Sequence, residues 1–549
     1  MTDEVASATT PLYHSPRGLM DFQAEGVART YLSPSVLAVW DTGLGKTHLD
    51  MATAALLFED DRVDIHLLVC EQTKVAEWVE DFERFTRLHA VSYTGSADRR
   101  RKIVASIDSP EPIKIGRKKT DTIHRPQVLV GTYETFRNDL MEMQVVVSPK
   151  GRKTKKSRPH FLSLALSGKR VFVGYDEMTK IGNRGNSLHE AQQVLVKHVR
   201  STGGSVQMLG LTATPAENGG ESHYNLGRLL APECVGTVAS FERDHVAYRD
   251  AYGNVTRYKN LSRETLTEPW VVPLAEKMAP IVMRKRKTDP DVIEQFPKVS
   301  ERFVKVDLTP EHREFYDAVC DILEDEVEDD PTTLSVLRMI AGYPAALLHS
   351  QGRWAQAIVA EVGEAYLRSL GSSKVETLST RMAPIMAQGD RAVVFTFYGP
   401  SMVPLIAQRL REDGIAVAEH YGAGMTPADR ERAKAKFRAG DAQVLVSSDA
   451  GARGINLPQA SYAFEFETAS THGRRTQRLN RIHRLDSLDH GHAWVYFQTL
   501  VANHTVEVGL TDLMLRRNEW SDSILGDEDE GEDSAFITAA DRKRLLRAG

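Results

Sequence analysis

The sequence predicts an α/β fold with two parallel β-sheets, each flanked by helices, and a helical insertion between them. Two blocks of the 549-residue chain alternate short apolar strands with helical segments, the pattern of a parallel sheet covered on both faces. Between the blocks, residues 310–370 have a helical pattern and no strand alternation. A chain of this length is expected to form roughly two to four domains.

Runs of apolar and β-branched residues mark the candidate strands. In the first block they are Val36–Trp40, Ile65–Cys70, Val128–Gly131, Val171–Gly174 and Gln207–Leu211, and in the second Arg391–Phe397, Ile415–Ala418, Gln443–Val446, Tyr462–Phe466 and Ala493–Phe497. We therefore divide the chain into a first lobe (1–275) with a basic insertion at about 145–160, an inter-lobe brace with a helical insertion (276–375), a second lobe (376–515) and an acidic tail (516–549).

Composition excludes several classes of protein. The hydrophobic fraction of 41% and the charged fraction of 26% are typical of a soluble globular protein. No apolar run could span a bilayer and no signal segment opens the chain, so we expect a cytoplasmic protein. Its compact size suits a bacterial cell or a phage-infected host cell. The three cysteines are too far apart in sequence to suggest a disulfide framework or a metal pair.

The net charge of −6 is unevenly distributed. The run 527–533 alone contributes −6, so the remainder of the chain is formally neutral. Basic residues cluster at Lys114–Lys119 and Lys150–Arg158. Because local fields decide whether a polyanion binds, these clusters keep nucleic acid open as a partner.

A glycine-rich turn joins the first candidate strand to a helical segment. It contains four residues ahead of the helix: Thr42, Gly43, Leu44 and Gly45. Glycines let backbone N–H groups face an anion, and the helix N-terminus adds a partial positive charge. We expect Lys46 to reach the β- and γ-phosphates of a nucleotide and Thr47 to ligate Mg²⁺. Trp40 stands where the strict pattern has its first glycine, so alone the turn also fits an ordinary glycine turn.

Two acidic residues follow the candidate strand Val171–Gly174. Side chains at the carboxyl end of a parallel strand lie beside a phosphate loop of the same sheet. We expect Asp176 to hold Mg²⁺ and Glu177 to polarise the attacking water. Thr212 and Thr214 follow the next strand, where hydroxyls can link the carboxylates to a neighbouring domain. Taken alone, the acidic pair would be solvated and the threonines would mark a turn.

An arginine pair lies in the second block. Arg481 and Arg484 are three residues apart, so on a helix they would share one face. Two guanidinium groups on one face suit a triphosphate presented by another domain. A bare pair is more often solvated, but its position after the second block favours a pair of arginine fingers.

In this order, the motifs resemble the Swi/Snf-type branch of the superfamily-two helicase-like ATPases. The resemblance runs from Gly18 to about Leu513 and implies two RecA-like lobes. Further matching segments are Leu19–Val27, Val69–Trp78, Gly131–Glu134, Ile281–Lys287, Val336–Pro344, Ser447–Leu457 and Thr505–Glu507. The chain departs from the family where Glu71 replaces a proline, where Met178-Thr179 replaces Ala-His, where Ala452 replaces a glycine and where Asp486-Ser487 replaces Gly-Gln.

The resemblance extends the set of site residues. It implies that Gln23 reads adenine and that Thr132 meets a DNA phosphate. The predicted nucleotide site also includes Gly454 and Asn456, and the predicted coupling residues are Thr212, Thr214 and Gln477. Nucleic-acid contacts are predicted for Thr132, Tyr133, Lys74, Ser447, Ser448 and, in the basic insertion, Lys153, Lys155 and Lys156. A solvated loop is the alternative for the insertion.

The family implies an activity and its partners. We expect a monomeric DNA-dependent ATPase that uses ATP and Mg²⁺ to translocate on double-stranded DNA, contacting mainly phosphates with little sequence specificity. ATP would lie between the lobes, so that closure completes the site. The alternatives are a strand-separating DNA or RNA helicase and a catalytically idle nucleic-acid clamp. The acidic tail either solubilises the chain, shields the basic surface or binds a protein partner.

Overall fold

The computed structural model describes residues 10–15, 18–115, 122–147, 153–182, 187–213, 219–249, 255–263, 266–327, 330–449, 455–469, 472–525 and residue 545. These residues divide into two compact units, one reaching Val292 and the other covering Ile293–Ser523. Each unit contains a parallel β-sheet with helices packed against it, which confirms the predicted fold class. No helix in these ranges is both long and apolar enough to cross a membrane.

The first unit is built on a seven-stranded parallel sheet with the order β13-β1-β10-β9-β2-β6-β3. The strands of the unit are β1 (Ser35–Trp40), β2 (Ile65–Cys70), β3 (Ala90–Ser92), β4 (Ile113–Lys114), β5 (Thr122–Ile123), β6 (Val128–Thr132), β7 (Met141–Val147), β8 (Lys153–Pro159), β9 (Arg170–Asp176), β10 (Ser205–Thr212), β11 (Val246–Arg249), β12 (Val255–Tyr258) and β13 (Val282–Lys285). Its helices are α1 (Asp21–Leu32), α2 (Lys46–Glu59), α3 (Val75–Phe85), α4 (Ala97–Ala105), α5 (Tyr133–Leu140), α6 (Phe161–Ala165), α7 (Ser187–Ser201), α8 (Gly219–Leu230), α9 (Pro232–Val235), α10 (Val238–His245) and α11 (Leu274–Met278), with 3₁₀ turns at Gln72–Lys74 and Met178–Ile181.

The second unit is built on a six-stranded parallel sheet with the order β14-β19-β18-β15-β17-β16. Its strands are β14 (Lys298–Val306), β15 (Ala392–Thr396), β16 (Val417–His420), β17 (Val444–Ser448), β18 (Tyr462–Glu465) and β19 (Trp494–Ala502). Its helices are α12 (Pro310–Leu323), α13 (Thr332–Gly342), α14 (Arg353–Val362), α15 (Glu364–Ser369), α16 (Ser373–Ala387), α17 (Gly399–Glu412), α18 (Pro427–Ala439), α19 (His472–Leu479) and α20 (Val506–Leu525), with 3₁₀ turns at Ile293–Gln295, Pro344–His349 and Leu485–His490.

Continuous burial explains why the central strands could be predicted. Every residue of β1 and of β2 is buried, because both faces of a parallel sheet are covered by helices. Each strand named in the sequence analysis overlaps an observed strand, and the helical pattern of 310–370 is confirmed by α12–α15. The predicted boundary at residue 275 falls ahead of β13, which pairs with β1 in the first sheet. Most of the predicted acidic tail lies outside the described residues.

Candidate functional site

The glycine-rich turn joins β1 to α2, as predicted. Gly43 and Gly45 adopt left-handed backbone conformations, with φ of 91° and 83°, which glycine reaches without steric cost. Lys46 is the first residue of α2, and its Nζ donates to the carbonyl oxygens of Trp40 at 2.6 Å and Asp41 at 3.3 Å. The ammonium group therefore lies across the turn, beside the backbone that would surround an anion.

The side-chain amide of Gln23 is hydrogen-bonded to this turn. Its Nε2 donates to the carbonyl oxygen of Leu44 at 2.9 Å, and its Oε1 accepts from the backbone N–H of Met20 at 3.0 Å. A side chain on Gly45 would collide with the Gln23 amide, so the two residues fit closely. Adenine recognition by Gln23 stays a prediction; what the structure shows is a contact that fixes the turn.

One hydroxyl in the turn has no partner in the described part of the chain. Thr42 Oγ1 is buried and accepts and donates no hydrogen bond there. A buried unsatisfied polar atom costs free energy unless a ligand or water supplies the missing bond. Thr42 lies next to the two glycines, so this hydroxyl is in position to bond a group held by the turn. Thr47 follows Lys46 on the first turn of α2 and is partly exposed.

Three neighbouring strands bring the predicted catalytic groups to one edge of the sheet. β10 lies between β1 and β9, with Val39 opposite Thr212 and Leu211 opposite Asp176. All three strands are parallel, so the turn before Lys46, Thr212 and Asp176 lie at the same carboxyl edge. Thr212 is fully buried. Thr214 lies outside the described residues.

The Asp176 carboxylate is held by an indole. Trp78 Nε1 donates to Asp176 Oδ2 at 3.0 Å, although the two residues are 98 positions apart. Burial raises the pKa of Asp176, while the Lys74 ammonium, the Trp78 hydrogen bond and the Lys46 ammonium act in the opposite direction. Glu177 has a φ of 56°, a left-handed conformation that a residue other than glycine adopts only under constraint.

Tyr133 provides that constraint through its hydroxyl group. Its hydroxyl donates to the carbonyl oxygens of Asp176 at 2.6 Å and Glu177 at 3.1 Å, and the residue is only 2% exposed. Thr132 is also buried, and its Oγ1 accepts from Thr135 N at 3.1 Å to cap α5. Nucleic-acid contacts of Thr132 and Tyr133 stay a prediction, and in this structure both side chains are buried and bonded within the first unit. Tyr133 positions the backbone of the acidic pair.

The other predicted nucleic-acid contacts of the first unit differ in exposure. Lys74 is partly exposed and pairs with Glu77 at 3.1 Å. Lys153, Lys155 and Lys156 are exposed on β8, which pairs with β7 in an antiparallel hairpin. None of the three forms an ion pair with any described residue, so their charges are available to a polyanion.

The arginine pair of the second unit lies beyond a helix rather than on it. Helix α19 ends at Leu479, and Arg481 and Arg484 follow in a turn and an extended segment. The prediction that they share a helical face is therefore wrong. The physical reason is tertiary, because the carbonyl oxygen of Arg481 accepts from Leu457 N at 2.9 Å instead of continuing a helix. Arg481 Nη1 also donates to Ile455 O at 3.4 Å, and Arg484 Nη1 donates to Asn480 O at 3.4 Å.

Arg478, which the sequence analysis did not single out, anchors this segment. Its Nε and Nη2 donate to the two carboxylate oxygens of Asp449 at 2.7 and 2.9 Å, and its Nη1 donates to Glu465 Oε1 at 2.9 Å. This forked arrangement ties the end of α19 to Asp449, which follows β17, and to Glu465, the last residue of β18. No sequence signal distinguishes Arg478 from its neighbours, since its partners come from other strands.

The remaining predicted residues of the second unit fall into two groups. Ser447 and Ser448 are buried, and Ser447 Oγ lies 3.1 Å from His420 Nδ1, so their contact with nucleic acid stays a prediction. Asn456 is partly exposed and Gln477 is exposed, so both side chains reach solvent. Gly454 lies outside the described residues.

The first unit thus has the architecture of a phosphate-loop nucleotide-binding domain, with a lysine and two carboxylates at one sheet edge. A family model for the SNF2-related domain matches residues 33–342, and a model for the helicase conserved C-terminal domain matches residues 373–486. Because the first match covers more than half of the chain, the protein belongs to the SNF2-related family of helicase-like ATPases.

Similarity to individual proteins is distant. The chain is 22% identical over 388 residues to the uncharacterized ATP-dependent helicase YqhH of Bacillus subtilis (strain 168), covering 69% of this chain and 63% of that protein. It is 21% identical over 511 residues to chromodomain-helicase-DNA-binding protein 8 of Danio rerio, covering 86% of this chain and 18% of that protein. The chain thus spans less than two thirds of either relative. The Pyrococcus furiosus Hef helicase domain shares the fold, with a TM-score of 0.53, 17% identity and coverage of 91% of this chain and 99% of that chain.

Proposed function

We propose that this protein is a DNA-dependent ATPase that couples ATP hydrolysis to translocation on double-stranded DNA, in DNA remodelling, repair, replication or recombination. The observation that carries the proposal is the sheet edge of the first unit, where the turn before Lys46 and the Asp176–Glu177 pair follow strands separated only by β10. A lysine beside a glycine-rich turn, with a carboxylate pair two strands away, suits phosphoryl transfer to water.

The first unit would bind the nucleotide and prepare the water. Lys46 would bind the β- and γ-phosphates, with backbone N–H groups of the turn at the same oxygens. The residues fit Mg²⁺, because Thr47 and Asp176 offer oxygen ligands and the unpartnered Thr42 hydroxyl can bond a neighbouring phosphate or water. Bound Mg²⁺ neutralises charge on the phosphate oxygens. Glu177 would orient the attacking water, with its backbone fixed by Tyr133.

The second unit would complete the reaction. Arg481 and Arg484 would stabilise the charge that develops on the transferred phosphoryl group, a contribution typically worth roughly 10³ to 10⁵ in rate. Hydrolysis would then depend on both units, and a substrate that binds both would stimulate it. Arg478 would hold the arginine segment in place through Asp449 and Glu465.

Double-stranded DNA is the proposed substrate of translocation. The exposed lysines of β8 carry charge with no ion-pair partner in the described part of the chain, which suits contacts to phosphates. The Danio rerio relative is named as a DNA-binding protein. Contacts that involve mainly phosphates imply little sequence specificity.

ATP turnover measured with duplex DNA, single-stranded DNA or RNA tests the proposal. We expect stimulation by the duplex, loss of turnover in Lys46→Ala with DNA binding retained, and no effect of Lys102→Ala, which removes an exposed lysine from α4. Stimulation by RNA alone would overturn the proposal, and turnover absent under every condition would favour an idle clamp. Triplex displacement without strand separation would exclude the strand-separating alternative.

A further inference from the structure

The second unit carries an aromatic and basic groove lined by residues that have no part in the proposed ATP site. It lies on one face of the sheet, over the amino-terminal halves of the adjacent strands β14, β19 and β18. The groove has a volume of about 210 Å³ and is lined by Ser300, Arg302, Tyr462, Tyr496 and Gln498. The segment of Arg481 contacts the other face of the sheet, because Ile482 packs in a buried cluster with Val495 and Phe497, and the side chains of these two residues alternate with that of Tyr496 along β19.

Two tyrosines and a serine lie side by side across the three strands. Tyr462 is opposite Tyr496, and Tyr496 is opposite Ser300. The two phenol rings stack with a centroid distance of 4.6 Å and an interplanar angle of 15°. Neighbouring strands are roughly 4.8 Å apart, so the space above Ser300 is where a third stacked ring would fit. The small serine leaves one face of Tyr496 open to a planar group.

Positively charged side chains lie on both sides of the space above Ser300, which we call the slot. Lys298 and Arg302 are both exposed on the edge strand β14, four residues apart and thus separated by roughly 13 Å. Lys298 Nζ is 5.6 Å from the ring centroid of Trp494, which is 44% exposed. Within the described ranges, neither cation forms an ion pair. The acidic Asp390 accepts from Ser461 Oγ at 2.9 Å, at the β18 side of the tyrosine stack and away from the edge strand.

Gln498 adds a group that can recognise a base. Its Oε1 accepts from Arg381 Nη1 at 2.9 Å, which fixes the orientation of the amide. Its Nε2 donates to no other described residue, so a hydrogen-bond donor lines the slot. A planar ring in the slot would therefore stack on Tyr496 and meet this donor at one edge.

We propose that the groove binds a single-stranded nucleic acid, with one base stacked on Tyr496 above Ser300 and the flanking phosphates at Lys298 and Arg302. Aromatic rings beside cations are the usual means of binding single strands without strong sequence preference. Cations on both sides of one slot favour a strand, because a mononucleotide would use only one of them. The volume of the groove is below the roughly 300 Å³ of the smallest usual pockets for complete small ligands. This smaller volume is consistent with the binding of one base.

The test uses the full chain without ATP and a twelve-nucleotide oligothymidylate that contains 4-thiothymidine. After irradiation, mass spectrometry should find the crosslink in the peptides that contain Tyr462, Trp494 or Tyr496. Ser300→Tyr fills the slot with a third ring and should weaken binding roughly five- to tenfold and abolish this crosslink. Lys305→Tyr adds the same ring on the opposite face of β14 and should change neither the binding nor the crosslink.

Further measurements decide the ligand class. Arg302→Ala should weaken oligothymidylate binding while Lys305→Ala does not, and this pair carries the test if Ser300→Tyr fails to fold. Crosslinks confined to other peptides would overturn the proposal. The proposal would also be overturned if thymidine monophosphate at the same nucleotide concentration, or polyglutamate of matched charge, suppressed the crosslink as strongly as unlabelled oligothymidylate does. The crosslink does not depend on ATP turnover, so failure of the proposed ATPase activity would be seen separately.

Discussion

The indole nitrogen of Trp78 donates to Asp176 Oδ2 over 3.0 Å, joining α3 to the end of β9. This bond occupies one lone pair of the carboxylate that is proposed to hold Mg²⁺ and leaves Oδ1 for the metal or its water. It also favours the ionised carboxylate against burial, which raises the pKa of Asp176. Trp78 is thus a positioning residue that acts through Asp176.

Trp78→Phe should move the acid limb of ATP turnover to higher pH. Removing a donor from a carboxylate destabilises its charged form, so the pKa of Asp176 rises further and the ionised form is lost at a higher pH. A hydrogen bond to a charged group is worth roughly 1.5–3 kcal/mol, so the displacement of the acid limb should be measurable. The measurement is kcat/KM for ATP against pH at saturating duplex DNA, because kcat/KM reports the pKa values of the enzyme before ATP binds.

A matched control exists in the second unit. Trp354 Nε1 donates to Asp330 Oδ2 at 2.9 Å, so Trp354→Phe deletes the same type of bond away from the proposed active site. Its pH profile should follow that of the unaltered protein. If Trp78→Phe lowered turnover equally at every pH, the proposed electrostatic role of Trp78 would be wrong.

A second buried pair lies beneath the phosphate loop. Asp50 Oδ1 is 2.9 Å from His66 Nε2, both side chains are fully buried, and His66 Nδ1 donates to Phe172 O at 3.2 Å. Because the Phe172 carbonyl can only accept, Nδ1 is the donor in that bond, and Nε2 is the ring nitrogen that faces the Asp50 carboxyl group. Asp50 Oδ2 is packed against Gly174, where any side chain would collide with it. The pair thereby joins α2, which begins at Lys46, to β2 and β9.

We expect Asp50→Leu to be far more damaging than Asp50→Asn. Leucine leaves His66 without its partner, and breaking a buried pair typically costs roughly 3–5 kcal/mol. Asparagine keeps an N–H that can donate to His66 Nε2 and should cost less than about 1.5 kcal/mol. Hydrogen exchange of the β2 and β9 amides measures both losses locally. Equal losses of protection in the two variants would show that the hydrogen bond between residue 50 and His66 does not stabilise these strands.

Packing explains which features could be predicted from the sequence. Strands such as Ile65–Cys70 are buried on both faces, so they form continuous apolar runs that stand out in the sequence. β14 lies at the sheet edge and exposes charged residues such as Lys298 and Lys305, so it has no such pattern. The phosphate loop was predictable because its glycines and Lys46 are consecutive.

Long-range contacts account for what could not be predicted. Trp78 and Asp176 are 98 residues apart, and nothing local to either residue indicates the bond between them. Arg481 was predicted on a helix from spacing alone, but its carbonyl oxygen binds Leu457 N from another segment. The buried position of Tyr133 depends in the same way on the strand that ends at Asp176.

The hairpin β7–β8 should contribute to the salt dependence of DNA binding. Replacing Lys153, Lys155 and Lys156 by alanine removes three exposed charges without altering a buried contact. Each phosphate contact contributes about 0.9 to the slope of log K against log salt, so the slope should fall by up to about 2.7. Fluorescence anisotropy of a labelled duplex over a range of salt concentrations measures this slope.

The same hairpin offers its own control. Met143 and Val145 are about half exposed on β7, and replacing both by serine changes the surface without changing charge. That variant should keep the original slope. If the lysine variant also kept it, the alternative of a solvated hairpin with no DNA contact would be correct.

His420 should make the second unit less stable in mild acid. Burial, followed by the charges of Lys434 and Arg430, lowers the pKa of His420 from 6.5 to about 4. Between these two values the unfolded chain binds a proton that the folded chain does not, so stability falls as pH decreases through this window. By linkage, the loss relative to pH 7 should reach about 2 kcal/mol at pH 5.

His420→Asn should remove this part of the pH dependence. Asparagine presents a polar atom near the position of Nδ1, which lies 3.1 Å from Ser447 Oγ, and it does not titrate in this range. Hydrogen exchange of the β16 and β17 amides at pH 7 and pH 5, corrected for intrinsic exchange rates, measures the effect. The exposed His349 provides the control, since His349→Asn should leave the pH dependence unchanged. An identical fall in protection for His420→Asn and the unaltered protein would show that other groups cause the acid sensitivity.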